Sequence, residues 1–175
     1  MALFVHLATH EDAGSIRRAG ITRLRQWGSQ PHGVFAMPVV LNFVVGHQWL
    51  RELKRRNAGP ILGVYFRIPD EESVWVGHYH GRHQRMTAAQ AAAFVMRAAE
   101  PLGFQVIIPR IIGRQELHKI RTLPQVVGWR YFPGAHGKPP CGCDYCQRAE
   151  YGARQVRIAW KKRNGWTAAR STGSR

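Results

Sequence analysis

The chain has 175 residues, of which 26 are lysine or arginine and 10 are aspartate or glutamate, so its formal net charge is +16. A surplus of this size favours a polyanionic partner such as nucleic acid, because each phosphate that a cation neutralises releases counterions. The length fits one domain with a single core, and six tryptophans argue against a disordered chain. No run reaches the roughly 18 apolar residues of a membrane span, so we expect no membrane partner.

Strands and helices alternate in the predicted first half of the chain. The expected elements are a strand at 3–7, a helix at 10–19, a strand at 33–40, a helix at 42–57 and a strand at 61–68. The strands are short runs of apolar and β-branched residues, and the second helix carries an apolar residue every four positions at Val45, Trp49 and Leu53. Thr9 is the expected N-cap of the first helix, and Gly20 ends it.

The second half of the chain predicts mostly strands. The expected elements are a strand at 74–80, a helix from Thr87 to about residue 100, a strand at 104–112, a short helix at 114–121, and strands at 126–132 and 155–160. This order is typical of an α+β fold rather than of a regular βαβ alternation. We expect one domain over residues 1–160 and a basic, mobile tail over residues 161–175. Neither a Rossmann glycine fingerprint nor a Walker loop is present.

All three cysteines fall within six residues, and a histidine precedes them. The set is His136, Cys141, Cys143 and Cys146. Zinc takes thiolate and imidazole ligands at the corners of a tetrahedron, so the set predicts a structural Cys3His zinc site. Asp144, His118 or water are alternative fourth ligands, and reduced thiols in a turn without metal are the alternative to zinc. Three clustered cysteines cannot form a closed set of disulfides, which favours a reducing, cytoplasmic compartment.

Carboxylates are scarce, and Glu150 is the one whose position is not explained by a helix end or a turn. It lies between Arg148 and Arg154, just before an expected strand. A carboxylate among cations stays ionised, which suits the stabilisation of a developing positive charge, although a surface salt bridge is the simpler alternative.

Histidines occur in two further places. His6 interrupts an apolar strand, where a histidine is either a hydrogen-bonded core residue or a ligand-binding group. His78, His80 and His83 follow one another closely, and we expect them to be exposed on a basic surface, with a metal or phosphate site as the alternative.

The order of these residues resembles the ADP-ribosyltransferase fold in its His–aromatic–Glu branch. Members of that branch open with a strand that carries histidine, closely followed by threonine or serine, as His6 and Thr9 are here. A short helix ending I-x-x-x-G-I follows, matched by residues 16–21, and then a strand beginning G-V-[FY], matched by residues 33–35. Glu150 is the matching acid at a later junction of loop and strand. The resemblance covers about residues 3–160.

The resemblance implies a split β-sheet core with a few flanking helices that grips NAD in a cleft. In that fold the histidine hydrogen-bonds the adenosine ribose, an aromatic side chain stacks on nicotinamide, and the glutamate bonds the 2′-hydroxyl of the nicotinamide ribose. His6 and Thr9 would take the first role and Glu150 the last. The aromatic position is open between Phe35, Tyr65 and Tyr79. The resemblance also assigns the pyrophosphate to two arginines after the first strand, Arg17 and Arg18.

The function that follows from the resemblance and the charge is an NAD-dependent ADP-ribosyltransferase acting on DNA, RNA or a nucleotide, with residues 1–160 as its catalytic domain. A toxin is one biological role for such a compact enzyme. An RNA 2′-phosphotransferase on the same fold is one alternative. A non-catalytic nucleic-acid-binding module, with a cysteine-rich loop held by zinc, is the other.

Overall fold

The computed structural model describes residues 1–26, 30–56, 59–79 and 81–125. All of them belong to the first of the two units into which the chain divides, Met1–Tyr131 and Phe132–Arg175. The predicted zinc ligands, Glu150, the strands expected at 126–132 and 155–160, and the tail at 161–175 lie outside the described residues.

Seven strands form one antiparallel sheet in the described part of the chain. They are β1 (Ala2–Thr9), β2 (Val34–Pro38), β3 (Ile61–Ile68), β4 (Ser73–His78), β5 (Gln84–Thr87), β6 (Phe104–Ile108) and β7 (Leu117–Thr122). The helices there are α1 (Ala13–Ala19), α2 (Phe43–Gly46), α3 (Leu50–Arg56) and α4 (Ala88–Arg97), and Arg114–Glu116 makes a 3₁₀ turn. The sheet is open, and its strand order is β5-β4-β6-β2-β1-β3-β7. The predicted α+β class is confirmed.

The centre of the sheet is the pair of strands β1 and β3, joined over eight residue pairs from Ala2↔Ile68 to Thr9↔Ile61. Seven of the eight residues of β3 are buried, as its apolar, β-branched sequence predicts. Helix α4 begins at Thr87, which forms a capping box with Gln90, so the predicted N-cap is confirmed.

The contact between β1 and β2 is much shorter than the contact between β1 and β3. Only Phe4↔Pro38 and Val5↔Met37 pair across it in the described sheet. At the next residue of β1 the side chain of His6 reaches the carbonyl oxygen of Phe35 instead. We call this place, from Phe4 to His6 on β1 and from Phe35 to Pro38 on β2, the β1–β2 seam.

Helix α1 ends at a glycine with a left-handed backbone. Gly20 has φ 82°, and its N–H donates to the carbonyl oxygen of Ile16. The next residue, Ile21, bridges Ile112 in an antiparallel pair. Ile16, Ile21 and Ile112 are buried. The I-x-x-x-G-I pattern therefore places two isoleucines in the core on either side of a turn that glycine adopts most easily.

Two of the predicted helices have different bounds in the structure. The helix expected at 10–19 begins at Ala13 with Asp12 as its N-cap, and Thr9 ends β1 instead of capping the helix. The helix expected at 42–57 is divided into α2 and α3. The side chains of His47 and Gln48 lie between them and bond the carbonyl oxygens of Phe43 and Val45, so they compete with a continuous helix.

The prediction of a helix at 114–121 was wrong, and β5 was not predicted at all. Residues 117–122 are strand because β7 pairs with β3 from Phe66↔Leu117 to Leu62↔Thr122. The side of β7 that carries Lys119 and Arg121 is polar, and His118 is an additional polar residue at a bulge, so the sequence did not show the alternation of a strand. The polar strand β5 forms because it pairs with β4 over four residue pairs. In both strands the neighbouring strand overrides the local preference.

Arg110 joins three parts of the chain. Its guanidinium donates to Glu72 at 2.6 and 2.8 Å and to Glu116 at 2.6 and 2.8 Å. The side chain of Arg110 is 38% exposed, while those of the two glutamates are 17% and 16% exposed. The paired guanidinium holds the pKa of Glu116 below its usual range. The pairs are thus partly screened, and removing the cation would leave two half-buried carboxylates facing each other.

We therefore expect Arg110→Met to lower the free energy of unfolding by about 2 kcal/mol, below the figure for a fully buried pair because of that exposure. Urea denaturation at pH 7 measures the change. Arg85→Met, at an exposed arginine that bonds Ser73, is the control and should lower the free energy of unfolding by less. Because the pKa of Glu116 is lowered by folding, the contribution of Arg110 is present at pH 7 and is lost as the pH falls below about 4. Equal losses in the two variants would show that the two ion pairs do not stabilise the fold.

Candidate functional site

His6 is held in one tautomer at the β1–β2 seam. Its Nδ1 lies 2.7 Å from the carbonyl oxygen of Phe35. A carbonyl oxygen only accepts, so Nδ1 carries the proton and donates, and Nε2 of the neutral ring is an acceptor. Burial lowers the pKa of His6, the bond to Phe35 partly offsets this, and the nearby positive charge of Arg25 lowers it again. The imidazole is therefore neutral near pH 7 and suited to accept a hydrogen bond from a hydroxyl group.

Thr9 lies at the end of β1 with its hydroxyl already engaged. Its Oγ1 donates to the carboxylate of Asp12 at 2.7 Å. Because that proton is used, Thr9 can offer a ligand only the lone pairs of its oxygen. Asp12 is also close enough to His6 to raise its pKa slightly against the effect of burial. His6, Thr9 and Asp12 thus form one local polar group.

The candidate aromatic residues occupy different places. Tyr65 pairs with Val5, so by register it lies on the face of the sheet opposite to His6, whose partner is Val64. Its ring is 2% exposed, and its hydroxyl bonds His47 Nε2 at 2.8 Å. The structure does not bring Tyr65 and His6 to one face.

The other two aromatic candidates are partly buried. Phe35 adjoins His6 directly through its carbonyl group. Tyr79 lies beside Trp49, with ring centroids 5.4 Å apart. Because Phe35 is two residues from Met37, the partner of Val5, its ring lies by register on the face opposite to His6. The structure thus brings the carbonyl group of Phe35 to the imidazole, but not its ring.

A second feature lies on the same face of the sheet as His6. A cleft of about 230 Å³ is lined by Arg17, Arg114, Leu117, His118, Lys119 and Ile120. We call it the α1–β7 cleft. His6, Val64 and Ile120 are partners across β1, β3 and β7, so they form one row on one face. Two strand spacings separate the ends of this row, which is about 10 Å. Arg18 is exposed on α1 and is not among the described residues that line the cleft.

The cleft lies at a β-bulge. Tyr65 pairs with Lys119 while Phe66 pairs with Leu117, so His118 is an extra residue on β7. A bulge redirects side chains locally and is common beside binding sites. Lys119 also lines the cleft, but its ammonium lies 5.0 Å from the centroid of the Tyr65 ring, on the other face of the sheet. The polar side chains that remain on the cleft are those of Arg17, Arg114 and His118.

A polar group that was not predicted is buried beside β6. Gln105 Nε2 donates to Gln30 Oε1 at 2.8 Å and to His83 Nε2 at 3.1 Å, and Gln30 Nε2 donates to the carbonyl oxygen of Tyr79 at 2.7 Å. Gln30 and Gln105 are buried. The only signal for it was a glutamine inside the apolar run FQVII.

His78 and His83 are partly buried rather than exposed, which corrects the expectation for that cluster, and His80 lies outside the described residues. His78 packs its ring on Phe104 with centroids 5.9 Å apart, and His83 bonds Gln105. No group of three or more histidine, cysteine or acidic side chains in the described ranges could hold a metal ion.

Burial lowers the pKa of three histidines, His6, His47 and His83. An unfolded chain protonates these rings near pH 6.5, whereas the folded chain resists protonation. The contribution of these neutral rings to the free energy of unfolding is therefore complete above about pH 6.5, and it is lost as the pH falls towards the lowered pKa values. Urea denaturation on both sides of that pH should show a lower midpoint on the acid side. His47→Gln should flatten this dependence, even though it removes the bond to Tyr65, and an unchanged slope would contradict the assignment.

No family model matches the chain, and neither a curated protein nor a solved structure matches it. Among the described residues, no helix is long and apolar enough to cross a membrane.

Proposed function

We propose that this chain is an NAD-dependent ADP-ribosyltransferase that modifies a nucleic acid, and that its sheet is an ADP-ribosyltransferase-like core opened at the β1–β2 seam. The observation that carries the proposal is the fixed, neutral imidazole of His6 at the place where β1 and β2 cease to pair. A buried histidine that served only packing would not require an open neighbouring strand. Here the seam leaves a polar acceptor beside a break in the backbone ladder.

Hydrogen-bond acceptors and cations among the described residues support NAD as the substrate. Nε2 of His6 accepts a hydrogen bond from a ribose hydroxyl, and the oxygen of Thr9 lies nearby as a second acceptor. Arg17 and Arg18 on α1 supply charge for the pyrophosphate. NAD supplies the ADP-ribosyl group, and nicotinamide is its leaving group.

Two further roles are proposed from the resemblance. By the resemblance alone, the aromatic side chain that stacks on the nicotinamide ring is that of Phe35, because the ring of Tyr65 is buried. The carboxylate of Glu150 bonds the 2′-hydroxyl of the nicotinamide ribose and stabilises the positive charge that develops as the glycosidic bond breaks. Its position between Arg148 and Arg154 keeps it ionised for this purpose.

The charge of +16 supports a nucleic acid as the target. The thiolates of Cys141, Cys143 and Cys146, with the imidazole of His136, match the ligand preference of a structural zinc ion. Elemental analysis of the purified protein tests this, since wild type should carry zinc and Cys146→Ser should carry less. Equal zinc contents, or no zinc in either protein, would leave the cysteines as free thiols.

NAD consumption by the purified protein, with and without DNA or RNA, tests the enzyme. We expect turnover in wild type and its loss in Glu150→Ala. No turnover together with salt-sensitive binding of nucleic acid would instead identify a non-catalytic binding module, for which the charge alone suffices. Consumption of NAD only with a 2′-phosphorylated RNA, with release of that phosphate, would identify an RNA 2′-phosphotransferase.

A further inference from the structure

The α1–β7 cleft contains cations without counter-ions. Arg17 and Arg114 line it, and neither forms an ion pair with a carboxylate among the residues that the structure describes. The carboxylate nearest in sequence to Arg114 is Glu116, which is already bonded by Arg110 and by the N–H of Gly113. Positive groups left unneutralised in a cleft attract an anion.

The composition of the cleft favours a phosphate group. Arginine offers a fork of N–H donors that matches phosphate oxygens, and an imidazole offers an N–H donor in either tautomer. Arg17, Arg114 and His118 provide these donors from three elements, namely α1, the 3₁₀ turn and the bulge of β7. The volume of about 230 Å³ lies below the range of about 300–1,000 Å³ for sites that enclose a small molecule. The cleft is therefore too small to enclose a whole nucleotide, whereas a phosphate group of a longer strand can enter it from the open side.

The surroundings of the cleft favour a polyanion over a single small anion. β7 is an edge strand of the described sheet. It also carries cations on the face of the sheet opposite to the cleft. There Lys119 and Arg121 lie 5.0 and 5.1 Å from the centroid of the Tyr65 ring, and Arg121 Nε donates to the Tyr65 hydroxyl. These contacts hold the two cations in place before any ligand binds, which lowers the entropic cost of binding.

We propose that the α1–β7 cleft binds a backbone phosphate of the nucleic-acid target, through Arg114 and His118, so that the strand follows β7. The row from Ile120 through Val64 to His6 spans about 10 Å, so Ile120, which lines the cleft, and His6 lie on the same face of the sheet at that separation. The inference rests on the proposed function for its target, but it does not depend on NAD chemistry. Arg17 lines the cleft and is also one of the two arginines proposed for the pyrophosphate.

Fluorescence anisotropy of a labelled single-stranded oligonucleotide, as DNA and as RNA, tests the site over a range of KCl. Arg114→Gln should weaken binding about fivefold near physiological salt and reduce the slope of log K against log salt by about 1. His118→Ala, at a second position, should weaken binding in the same direction. Arg97→Gln is the matched control, because it removes the same charge from an exposed residue of α4 and should leave the slope unchanged. Thermal melts should show all three variants folded.

Two outcomes for the Arg114→Gln variant would overturn the inference. One is an Arg114→Gln variant that binds the oligonucleotide like Arg97→Gln. The other is an Arg114→Gln variant whose KM for NAD rises while oligonucleotide binding is unchanged, which would assign the cleft to NAD. His6→Ala separates the two proposals, since it should lose NAD turnover and keep oligonucleotide binding. If wild type consumes NAD but binds no oligonucleotide, the nucleic-acid target and this phosphate site are both excluded. The proposed transferase activity would then still stand.

Discussion

Replacing His6 by alanine should lower the rate of NAD consumption by about 100-fold or more, while the protein stays folded. The reason is the fixed tautomer: with Nδ1–H given to the carbonyl oxygen of Phe35, the ring offers one acceptor, Nε2, and alanine offers none. The bond from the ribose positions NAD, and misplacement of a bound substrate by about 1 Å costs about 100-fold in rate. Nicotinamide release by the purified variant measures the effect.

The same imidazole predicts a pH dependence. Burial lowers the pKa of His6, so the ring is neutral and able to accept near pH 7. As the pH falls through that lowered pKa, Nε2 takes a proton and no longer accepts, and kcat/KM should fall on the acid side. His10→Ala is the control, because His10 is exposed just beyond β1, and it should keep both the rate and the pH profile. Wild-type turnover in His6→Ala would remove the imidazole from the mechanism.

Gly20→Ala should be the most destabilising small change in the described part of the chain, at about 3 kcal/mol or more. Gly20 has φ 82°, where an alanine side chain is strained. A Cβ there would also overlap the carbonyl oxygen of Ile112, which accepts the N–H of Ile21. The overlap is with backbone, so no side-chain rotation relieves it. Relief requires breaking the bridge that holds the end of α1 to the sheet.

Gly59→Ala is the matched control for this change. A Cβ at Gly59 would meet nothing within 4 Å, so the substitution should alter the free energy of unfolding by less than about 0.5 kcal/mol. Urea denaturation of both variants gives the comparison. If Gly20→Ala is as stable as Gly59→Ala, the close approach of α1 to Ile112 does not contribute to the fold.

The elements that the sequence predicted well are those whose own residues determine them. The strand expected at 61–68 has the bounds of β3, because its apolar and β-branched residues suit a strand buried on both faces. The helix α4 begins at Thr87 as predicted, because a capping box is a local interaction between residues three positions apart. Neither prediction needed knowledge of a neighbour.

The elements that were poorly predicted from the sequence depend on partners that are distant along the chain. Residues 117–122 look helical by themselves and are strand only because β3 lies beside them. The division between α2 and α3 depends on the side chain of Gln48. Its Nε2 also donates to the carbonyl oxygen of Pro101, and its Oε1 accepts the N–H of Gly103. A pattern of local hydrophobicity cannot contain such contacts.

The candidate site likewise contains one residue that the local sequence reveals and others that depend on distant contacts. His6 was singled out because an isolated histidine in an apolar strand is visible in the sequence. The role of the Phe35 carbonyl group was not predictable, since a main-chain oxygen carries no sequence signal. Arg114 and His118 were assigned to a helix, so their meeting with Arg17 became apparent only when the bulge and the register of β7 were known.

The β1–β2 seam also determines how the molecule can be dissected. Strands β5, β4, β6 and β2 lie on one side of it and β1, β3 and β7 on the other, yet the chain passes across it between β1 and β2, between β2 and β3, between β3 and β4, and between β6 and β7. No single cut of the polypeptide therefore yields two fragments, each with all the strands of one side of the seam and none of the other. A fragment that stops before β6 would lose the strand that connects the β4–β5 hairpin to β2, and a fragment that stops before β7 would lose the outer strand beside β3. The side with β2 is therefore completed first, after β1 and β3 of the other side have already been synthesised.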